Sequence, residues 1–249
     1  MSDISARAPR LFVDCPLAEG RMVPLDKAQA NYIGNVLRLG ANADVLVFNG
    51  REGEWHAKVL AGRRRPEALA IVGRLRPQPA SGDLYYLFAP LKHARLDYMV
   101  QKAVEMGATA IRPVITRHTQ VSRVNIERMR ANAIEAAEQC GILTLPEITE
   151  AQPLAAAIAA LEPERLVVFC DEAAPLADPL AALARARRGP LAVVIGPEGG
   201  FGEEERALMA QRENVLILSL GSRILRADTA AVAALALVQA SIGDWGPRA

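Results

Sequence analysis

The chain has few cysteines, few histidines and no long apolar segment. Its 249 residues include three cysteines and three histidines, which are scattered along the sequence. This spacing gives neither a disulfide framework nor a metal-binding cluster, so we expect no metal and a reducing, cytoplasmic location. No apolar run reaches the roughly 18 residues of a membrane span, and residues 1–10 lack the apolar core of a signal peptide. We therefore expect no membrane partner.

Excess charge of either sign is also lacking, because the formal net charge is only +1. Its distribution is uneven: residues 1–80 hold 12 Lys and Arg against 8 Asp and Glu (net +4), and residues 81–249 hold 17 against 20 (net −3). Basic clusters bind phosphates without reading sequence, so the N-terminal third is favoured as an RNA-binding part. For the triplet Arg63, Arg64 and Arg65 alone, a solvated surface loop is an equally good interpretation.

Two glycine-containing loops carry the most information in the C-terminal half. Residues 196–202 (GPEGGFG) follow the apolar run Leu191–Ile195, and residues 220–229 (LGSRILRADT) follow the apolar run Val215–Leu218. Continuous apolar runs of this length are typical of strands buried on both faces. Ligands in open α/β sheets bind beyond the carboxyl ends of the strands, so the two loops predict one shared small-molecule pocket. Either loop alone is equally explained as a tight turn.

The same loops exclude several common sites. No Lys-Ser/Thr follows the glycines, which excludes a P-loop, and the Gly-x-Gly-x-x-Gly spacing of a dinucleotide site is absent. No Gly-x-Ser-x-Gly elbow surrounds Ser222, so hydrolase chemistry lacks its usual setting.

Proline and small residues at 77–82 predict a domain boundary. Before it, short strand-like segments (45–48, 55–60 and 69–75) alternate with turns, and Asn49-Gly50 between two of them is a hairpin signal. Residues 10–13 are a candidate first strand, and residues 26–37 a short helix. Residues 1–78 are therefore predicted to form a small β-barrel domain.

After the boundary, strands and helices alternate, which predicts a parallel sheet with crossover helices in a second domain at 79–249. The predicted strands are 84–89, 110–115, Leu166–Cys170, Leu191–Ile195 and Val215–Leu218. The predicted helices are 94–106, 126–140, 153–161, 178–188, 202–212 and 228–242. The last helix is apolar nearly all round and should be buried, with Asp228-Thr229 as its N-cap.

Several blocks of the sequence resemble one family. They are the two glycine loops, residues 91–92 (LK) with 97–107 (DYMVQKAVEMG), residues 135–141 (EAAEQCG) and residues 31–39 (NYIGNVLRL). Together they resemble the RsmE-type 16S rRNA uridine-N3 methyltransferases of the SPOUT superfamily. The resemblance implies an α/β fold with a SPOUT-type parallel sheet and a C-terminal trefoil knot, preceded by a PUA-like β-barrel, and a homodimer through the knot domain. The pattern alone predicts an ordinary doubly wound fold.

The resemblance also implies S-adenosyl-L-methionine as the cofactor. Glycines let backbone approach a ligand closely, and apolar side chains can wall an adenine slot, with strand end 169–172 as a third wall. For the leucines, ordinary core packing is the alternative. The expected cofactor-binding residues are Phe169, Gly196, Pro197, Glu198, Gly199, Gly200, Leu218, Leu220, Gly221, Ser222, Ile224, Leu225 and Thr229.

Methylation of uracil N3 requires loss of a proton, so a base and an oxyanion-stabilising cation are expected. Arg226 is the candidate cation and Glu198 the candidate base, with Asp228 behind it. The alternatives are an Arg226–Asp228 structural pair, an N-cap role for Asp228 and a solvent-facing Glu198. Asp228 stands where the family often has a glutamate. Because aspartate is shorter, its reach is smaller, which weakens the assignment of Asp228 as a base.

The implied partner is 16S rRNA in the small ribosomal subunit. The candidate RNA-binding residues are Arg10, Asn31, Arg38, Arg63, Arg64 and Lys92. Two other functions stay open: methylation of another RNA position, such as a ribose 2′-hydroxyl, and a non-catalytic RNA-binding role in ribosome assembly. Intact cofactor loops argue against the second.

Overall fold

The computed structural model describes residues 8–62, 65–92, 94–121 and 123–245, so Arg63 and Arg64 lie outside the described residues. The chain folds into two compact units. The first comprises Met1–Ala80 and Ala137–Leu145, and the second Ser81–Ala136 and Pro146–Ala249. The sequence prediction kept the whole of 79–249 in one domain, whereas residues 137–145 belong to the first unit.

The first unit contains a five-stranded sheet in the order β1-β3-β4-β5-β2. Its strands are β1 (Arg10–Phe12), β2 (Met22–Pro24), β3 (Asp44–Phe48), β4 (Glu54–Ala61) and β5 (Pro66–Arg76). β1 pairs with β3 in parallel, and the other pairings are antiparallel. The predicted strands are present, and only β2, three residues long, gave no readable signal in the sequence.

Alternate residues along these strands form the core of the first unit. Val45 and Val47 of β3, with Leu69 and Ile71 of β5, are buried in one apolar cluster. Because strand side chains alternate between faces, one face of the sheet encloses this core. The end strands β1 and β2 are not paired with each other within the described residues, so the barrel is open along that side.

Two connections in the first unit differ in detail from the sequence prediction. The turn at Asn49-Gly50 does join β3 to β4, but the loop has five residues, because the Asn49 side chain accepts hydrogen bonds from the backbone of Arg51 and Glu52. The predicted helix is α1 (Lys27–Asn31), capped by Asp26, followed by a π-helical turn at Tyr32–Val36.

Residues 137–145 are bound to the rest of the first unit by hydrogen bonds. The backbone N–H of Phe12 donates to Glu138 at 2.8 Å, and Arg76 donates to the Gly141 carbonyl at 2.8 Å. Gln78 donates to the carbonyl of Leu143, a residue that is buried. The segment is therefore an integral part of this unit.

The second unit is a seven-stranded sheet whose pairings are all parallel, which confirms the predicted α/β architecture. Its main order is β12-β10-β11-β6-β7-β8, and β9 also pairs with β7. The strands are β6 (Leu84–Phe88), β7 (Ala110–Ile115), β8 (Glu147–Ile148), β9 (Gln152–Pro153), β10 (Leu166–Cys170), β11 (Leu191–Ile195) and β12 (Val215–Leu218). The helices are α2 (Ala94–Glu105), α3 (Ile126–Cys140), α4 (Leu154–Ala159), α5 (Pro179–Ala184), α6 (Glu203–Ala210) and α7 (Ala227–Ser241). The last residues of α3, from Ala137 onward, belong to the first unit.

The last helix is only partly as expected. Ala231, Leu235 and Val238 of α7 are buried, but Val232 and Leu237 on other faces are half-exposed. The predicted N-cap at Asp228 is wrong: Arg226 occupies the cap position in extended conformation, without a side-chain cap. Asp228 lies inside the first turn, where its carboxylate accepts from the neighbouring Thr229 N–H at 2.8 Å.

The amino end of β10 is closed by a buried arginine. Arg165 donates to Asp83 at 2.7 Å and to Glu162 at 2.8 Å, and its guanidinium lies 3.5 Å from the Tyr85 ring centroid. Burial alone would lower the pKa of Arg165, but these two carboxylates raise it. The charged groups at this edge are thus engaged with one another.

Candidate functional site

A cavity of about 270 Å³ lies at the carboxyl ends of β10, β11 and β12. Its walls come from three segments within 170–176, 195–201 and 218–230. These strands are neighbours in the order β12-β10-β11, so the segments that follow them meet at one edge. The two glycine loops therefore border the same cavity.

Most of the expected cofactor-binding residues lie around this cavity. Those that line it are Gly196, Pro197, Glu198, Gly200, Leu218, Leu220, Gly221, Ser222, Ile224 and Leu225. Cys170, Asp171 and Glu172 form the third wall, and Leu176 and Arg223 also line it although the sequence did not single them out. Arg223 follows Ser222 in the second glycine loop, so its place in that loop could have identified it from the sequence as a cavity residue.

Three expected cofactor-binding residues lie elsewhere. Phe169 is fully buried, with its ring centroid 4.3 Å from that of Phe201, because adjacent strand residues face opposite sides and Cys170 takes the cavity side. Gly199 packs under the side chain of His118. Thr229 is exposed on the first turn of α7.

Glycine is required at two points of the first loop. Gly200 has a φ of +66°, and a Cβ there would lie 2.5 Å from a carboxylate oxygen of Glu172. A Cβ at Gly196 would lie 2.8 Å from the Phe201 ring. Glycine at 200 therefore gives the loop its left-handed conformation beside Glu172, and glycine at 196 leaves room for the Phe201 ring of the same loop.

A two-point ion pair joins the wall that follows β10 to α6. Arg206 donates to the two carboxylate oxygens of Asp171 at 2.7 and 3.0 Å, and hydrogen bonding to Asp171 raises the pKa of Arg206. The Asp171 side chain is only 6% exposed. This pair holds a buried negative charge in place beside the cavity.

Two polar groups near the cavity are unsuited to nucleophilic chemistry. Burial raises the pKa of the Cys170 thiol to about 12, so it is protonated at neutral pH. Burial, with smaller contributions from Cys170 and Asp228, raises the pKa of Tyr86 well above its usual value. The Tyr86 hydroxyl has no hydrogen-bond partner among the described residues.

Apolar side chains that line the cavity are unusually accessible. Ile224 is 87% exposed and Leu176 is 69% exposed, and Leu220 and Leu225 lie beside them. Exposed apolar groups gathered around a concavity mark a binding site for an apolar ligand surface.

Of the two candidate catalytic residues, only one lies at the cavity. Glu198 lines the cavity, and its Oε1 accepts from Nη1 of Arg95 at 3.0 Å. Arg226 is exposed and does not line the cavity, and the described residues contain no Arg226–Asp228 ion pair. Arg223 is the cation of this loop that lines the cavity.

The candidate RNA-binding residues differ in availability. Arg10 donates to Glu54 at 2.8 Å and is therefore engaged within the first unit, which makes it a poor phosphate ligand. Arg38 is exposed with a φ of +54°, and Asn31 is exposed with its side chain accepting from Asn35. Lys92 is exposed and lines a second cleft.

Metal clusters and membrane-spanning helices do not occur in the part of the chain that the structure describes. The described residues contain no group of three His, Cys, Asp or Glu side chains placed to hold a metal ion. In the same ranges, no helix combines the length and apolar character needed to cross a membrane.

Comparisons with known proteins agree with this architecture. Residues 78–239 match the family model of an RNA methyltransferase domain, and residues 25–69 match that of an RNA methyltransferase PUA domain. The ribosomal RNA small subunit methyltransferase E of Rickettsia conorii is 31% identical over 92% of this chain and 94% of its own. The Synechocystis protein of the same name is 31% identical over 88% of this chain and 73% of its own.

Two solved structures are similar throughout. The ribosomal RNA small subunit methyltransferase E of Neisseria gonorrhoeae, bound to S-adenosyl methionine, has a TM-score of 0.85 at 26% identity, over 96% of this chain and 100% of that one. A Legionella pneumophila putative methyltransferase in complex with the same cofactor has a TM-score of 0.78 at 26% identity, over 94% and 98% of the two chains.

The two family matches, on a chain with a parallel α/β sheet and a cavity at its carboxyl edge, identify the protein as an RNA methyltransferase with a PUA-like domain. The resemblance seen in the sequence is thereby confirmed. The chain belongs to the family of ribosomal RNA small subunit methyltransferase E.

Proposed function

We propose that this protein uses S-adenosyl-L-methionine to methylate N3 of a specific uridine in 16S ribosomal RNA of the small subunit. The observation that carries the proposal is the single cavity bordered by both glycine loops and the end of β10. The names of its relatives and the cofactor bound in two similar structures support methylation of small-subunit ribosomal RNA with this cofactor.

The cavity residues suit S-adenosyl-L-methionine in character. Exposed Ile224 and Leu176 offer apolar surface to an adenine, and the exposed backbone at Gly221 is open to polar ligand groups. The Glu172 carboxylate lies beside Gly200, where it can receive hydroxyl or ammonium groups. Once bound, the cofactor supplies a methyl group already activated on a positively charged sulfur.

The chain's own part in the reaction is to orient the base and manage one proton. Glu198 is proposed to accept the proton from N3, since it borders the cavity and its carboxylate is held by Arg95. A cation of the second loop is proposed to stabilise negative charge on the uracil oxygens. Arg226 was the sequence candidate for this role, and Arg223 is favoured by its place on the cavity wall.

The wider organisation follows the family. We propose that residues 1–78, completed by residues 137–145, form the RNA-binding PUA-like domain. The rest of residues 79–249 is proposed to form the catalytic domain, with the C-terminal segment threaded as a trefoil knot. The half-exposed apolar residues Val232 and Leu237 on α7 support a homodimer through this domain. Among the described residues, Cys15, Cys140 and Cys170 form no disulfide, which suits a cytoplasmic enzyme.

Two measurements test the proposal. Calorimetry should detect binding of S-adenosyl-L-methionine that a chelator leaves unchanged; absent heat, or heat that requires metal, contradicts it. Nucleoside mass analysis of 16S rRNA from a deletion strain should show loss of 3-methyluridine and its return on complementation. Loss of a 2′-O-methylated nucleoside instead would favour the ribose alternative, and an unchanged nucleoside profile the non-catalytic one.

A further inference from the structure

A second cleft, of about 440 Å³, adjoins the cofactor cavity and shares its Pro197–Glu198 wall. It lies at the carboxyl ends of β11, β6 and β7, which are adjacent in the sheet. Lys92 and Arg95 follow β6, and Gln120 follows β7. Glu198 is thus a side chain that faces both spaces.

The groups in this cleft are of three kinds. Lys92 is exposed and, within the part of the chain that the structure describes, makes no ion pair. Partly exposed Val121 and the accessible edge of the largely buried Pro90 line the cleft with apolar atoms, and Gln120 provides an amide that can both donate and accept hydrogen bonds. A small anion would need only the cation, whereas a cation, an apolar wall and an amide together suit a nucleotide.

The ion pair between Glu198 and Arg95 uses only one of the two carboxylate oxygens of Glu198. Arg95 Nη1 donates to Oε1 of Glu198 at 3.0 Å, and no described residue donates to Oε2. Both side chains are nearly half exposed, at 43% and 45%, so a ligand can reach them. A carboxylate oxygen in this position can accept an N–H from the edge of a base.

We propose that this cleft receives one nucleotide of the substrate RNA. Lys92 binds its phosphate, Pro90 and Val121 pack against its base, and Oε2 of Glu198 accepts an N–H from the base edge. Arg95 acts as a positioning residue, because it fixes the carboxylate at the boundary with the cofactor cavity. This inference rests on the proposed function and assigns the substrate subsite of the same centre.

The first test uses Lys92→Ala in the full-length protein. RNA affinity should fall, and the slope of log affinity against log salt should become shallower by about 0.7–0.9, the value for one phosphate contact. Affinity for S-adenosyl-L-methionine should not change. Arg187→Ala is the matched control, since Arg187 is exposed in the loop before the amino end of β11, and it should leave the slope unchanged.

The second test separates positioning from structure. Arg95→Ala should lower kcat with little change in the KM for RNA or in melting temperature, and Arg95→Lys should partly restore kcat. Equal salt slopes for Lys92→Ala and the parent protein, or a fall in melting temperature that accounts for all loss of activity in Arg95→Ala, would overturn the inference. Failure of the parent protein to bind S-adenosyl-L-methionine would instead overturn the proposed function.

Discussion

Arg206 of α6 donates from Nε and Nη2 to the two oxygens of Asp171, at 2.7 and 3.0 Å. Asp171 directly follows β10, and its backbone N–H donates to the Leu218 carbonyl of β12 at 3.1 Å. Asp171 Oδ1 also accepts from the N–H of Ala173 at 3.2 Å, within the same wall of the cavity. Asp171 therefore fixes the turn after β10 in two ways: its carboxylate holds the turn against α6, and its backbone N–H holds it against the end of β12.

Arg206→Ala should weaken both the fold and cofactor binding. The change leaves the Asp171 carboxylate buried without its main partner, which costs about 1–3 kcal/mol. Thermal denaturation and calorimetry on the same preparation measure the two effects. The control is Arg130→Ala, which removes an exposed pair with Glu127 and should cost less than about 1 kcal/mol. Equal stability of the two variants would contradict the assigned role.

Gly200→Ala should impair cofactor binding more than it impairs folding. Its φ of +66° and the 2.5 Å approach to Glu172 mean that a side chain both strains the loop and displaces a cavity residue. Gly20 has a φ of +77°, and a Cβ there would meet nothing within 4 Å, so Gly20→Ala adds strain alone, about 1–2 kcal/mol. Calorimetry should show weaker cofactor binding only for the first variant. Equal cofactor affinities of the two variants would contradict this prediction, because the loop would then accommodate a side chain at residue 200.

The cavity shows what the sequence could and could not predict. Gly196 and Gly221 were placed correctly beside one cavity, because each follows a continuous apolar run and the carboxyl ends of parallel strands share an edge. The Arg95–Glu198 pair was not predicted, because it joins residues 103 positions apart through the packing of loops. Phe169 was expected at this cavity but does not line it, because an apolar run buried on both faces does not reveal which side chains face a cavity.

Tyr86→Phe should be neutral or stabilising, unlike most core substitutions. The Tyr86 hydroxyl is buried without a partner among the described residues, so its removal relieves an uncompensated desolvation cost on the order of 1 kcal/mol. The ring contact with Phe88, at 4.8 Å between centroids, is retained. Denaturant unfolding measures the difference, and a clear loss of stability would indicate that the hydroxyl has a partner.

Glu54→Gln should lower the free energy of unfolding at neutral pH, and it should make that free energy fall less steeply as the pH is lowered. Burial by itself would raise the pKa of Glu54, but hydrogen bonds from Arg76 and Arg10 outweigh it and lower the pKa. A lowered pKa gives stability that is present above the unfolded value, about 4.3, and is lost as pH falls through the folded value. Unfolding measured between neutral pH and acid should show this loss in the parent protein. Exposed Glu127→Gln should retain the parental profile.

Single-turnover kinetics should distinguish the two cations of the second loop. Arg223→Ala should lower the rate with saturating cofactor on the order of a hundredfold if it stabilises negative charge on the base. Arg226→Ala should have a smaller effect, because Arg226 does not line the cavity. Lysine at either position keeps the charge but loses the planar fork, so rescue should be partial. The reverse ranking would return the catalytic assignment to Arg226.

The first unit of this protein is not continuous in the chain, since residues 137–145 complete it. During synthesis, the strands of the first sheet are made before residues 81–145. Leu143 can therefore take its buried position in the first unit only after the ribosome has added those residues. At about 5–20 residues per second, this interval lasts roughly 3–13 seconds. For that time the nascent first unit lacks a buried residue and the acceptors for Phe12, Arg76 and Gln78. The time for which the nascent first unit is exposed to aggregation and proteolysis thus depends on how fast residues of the other unit are translated.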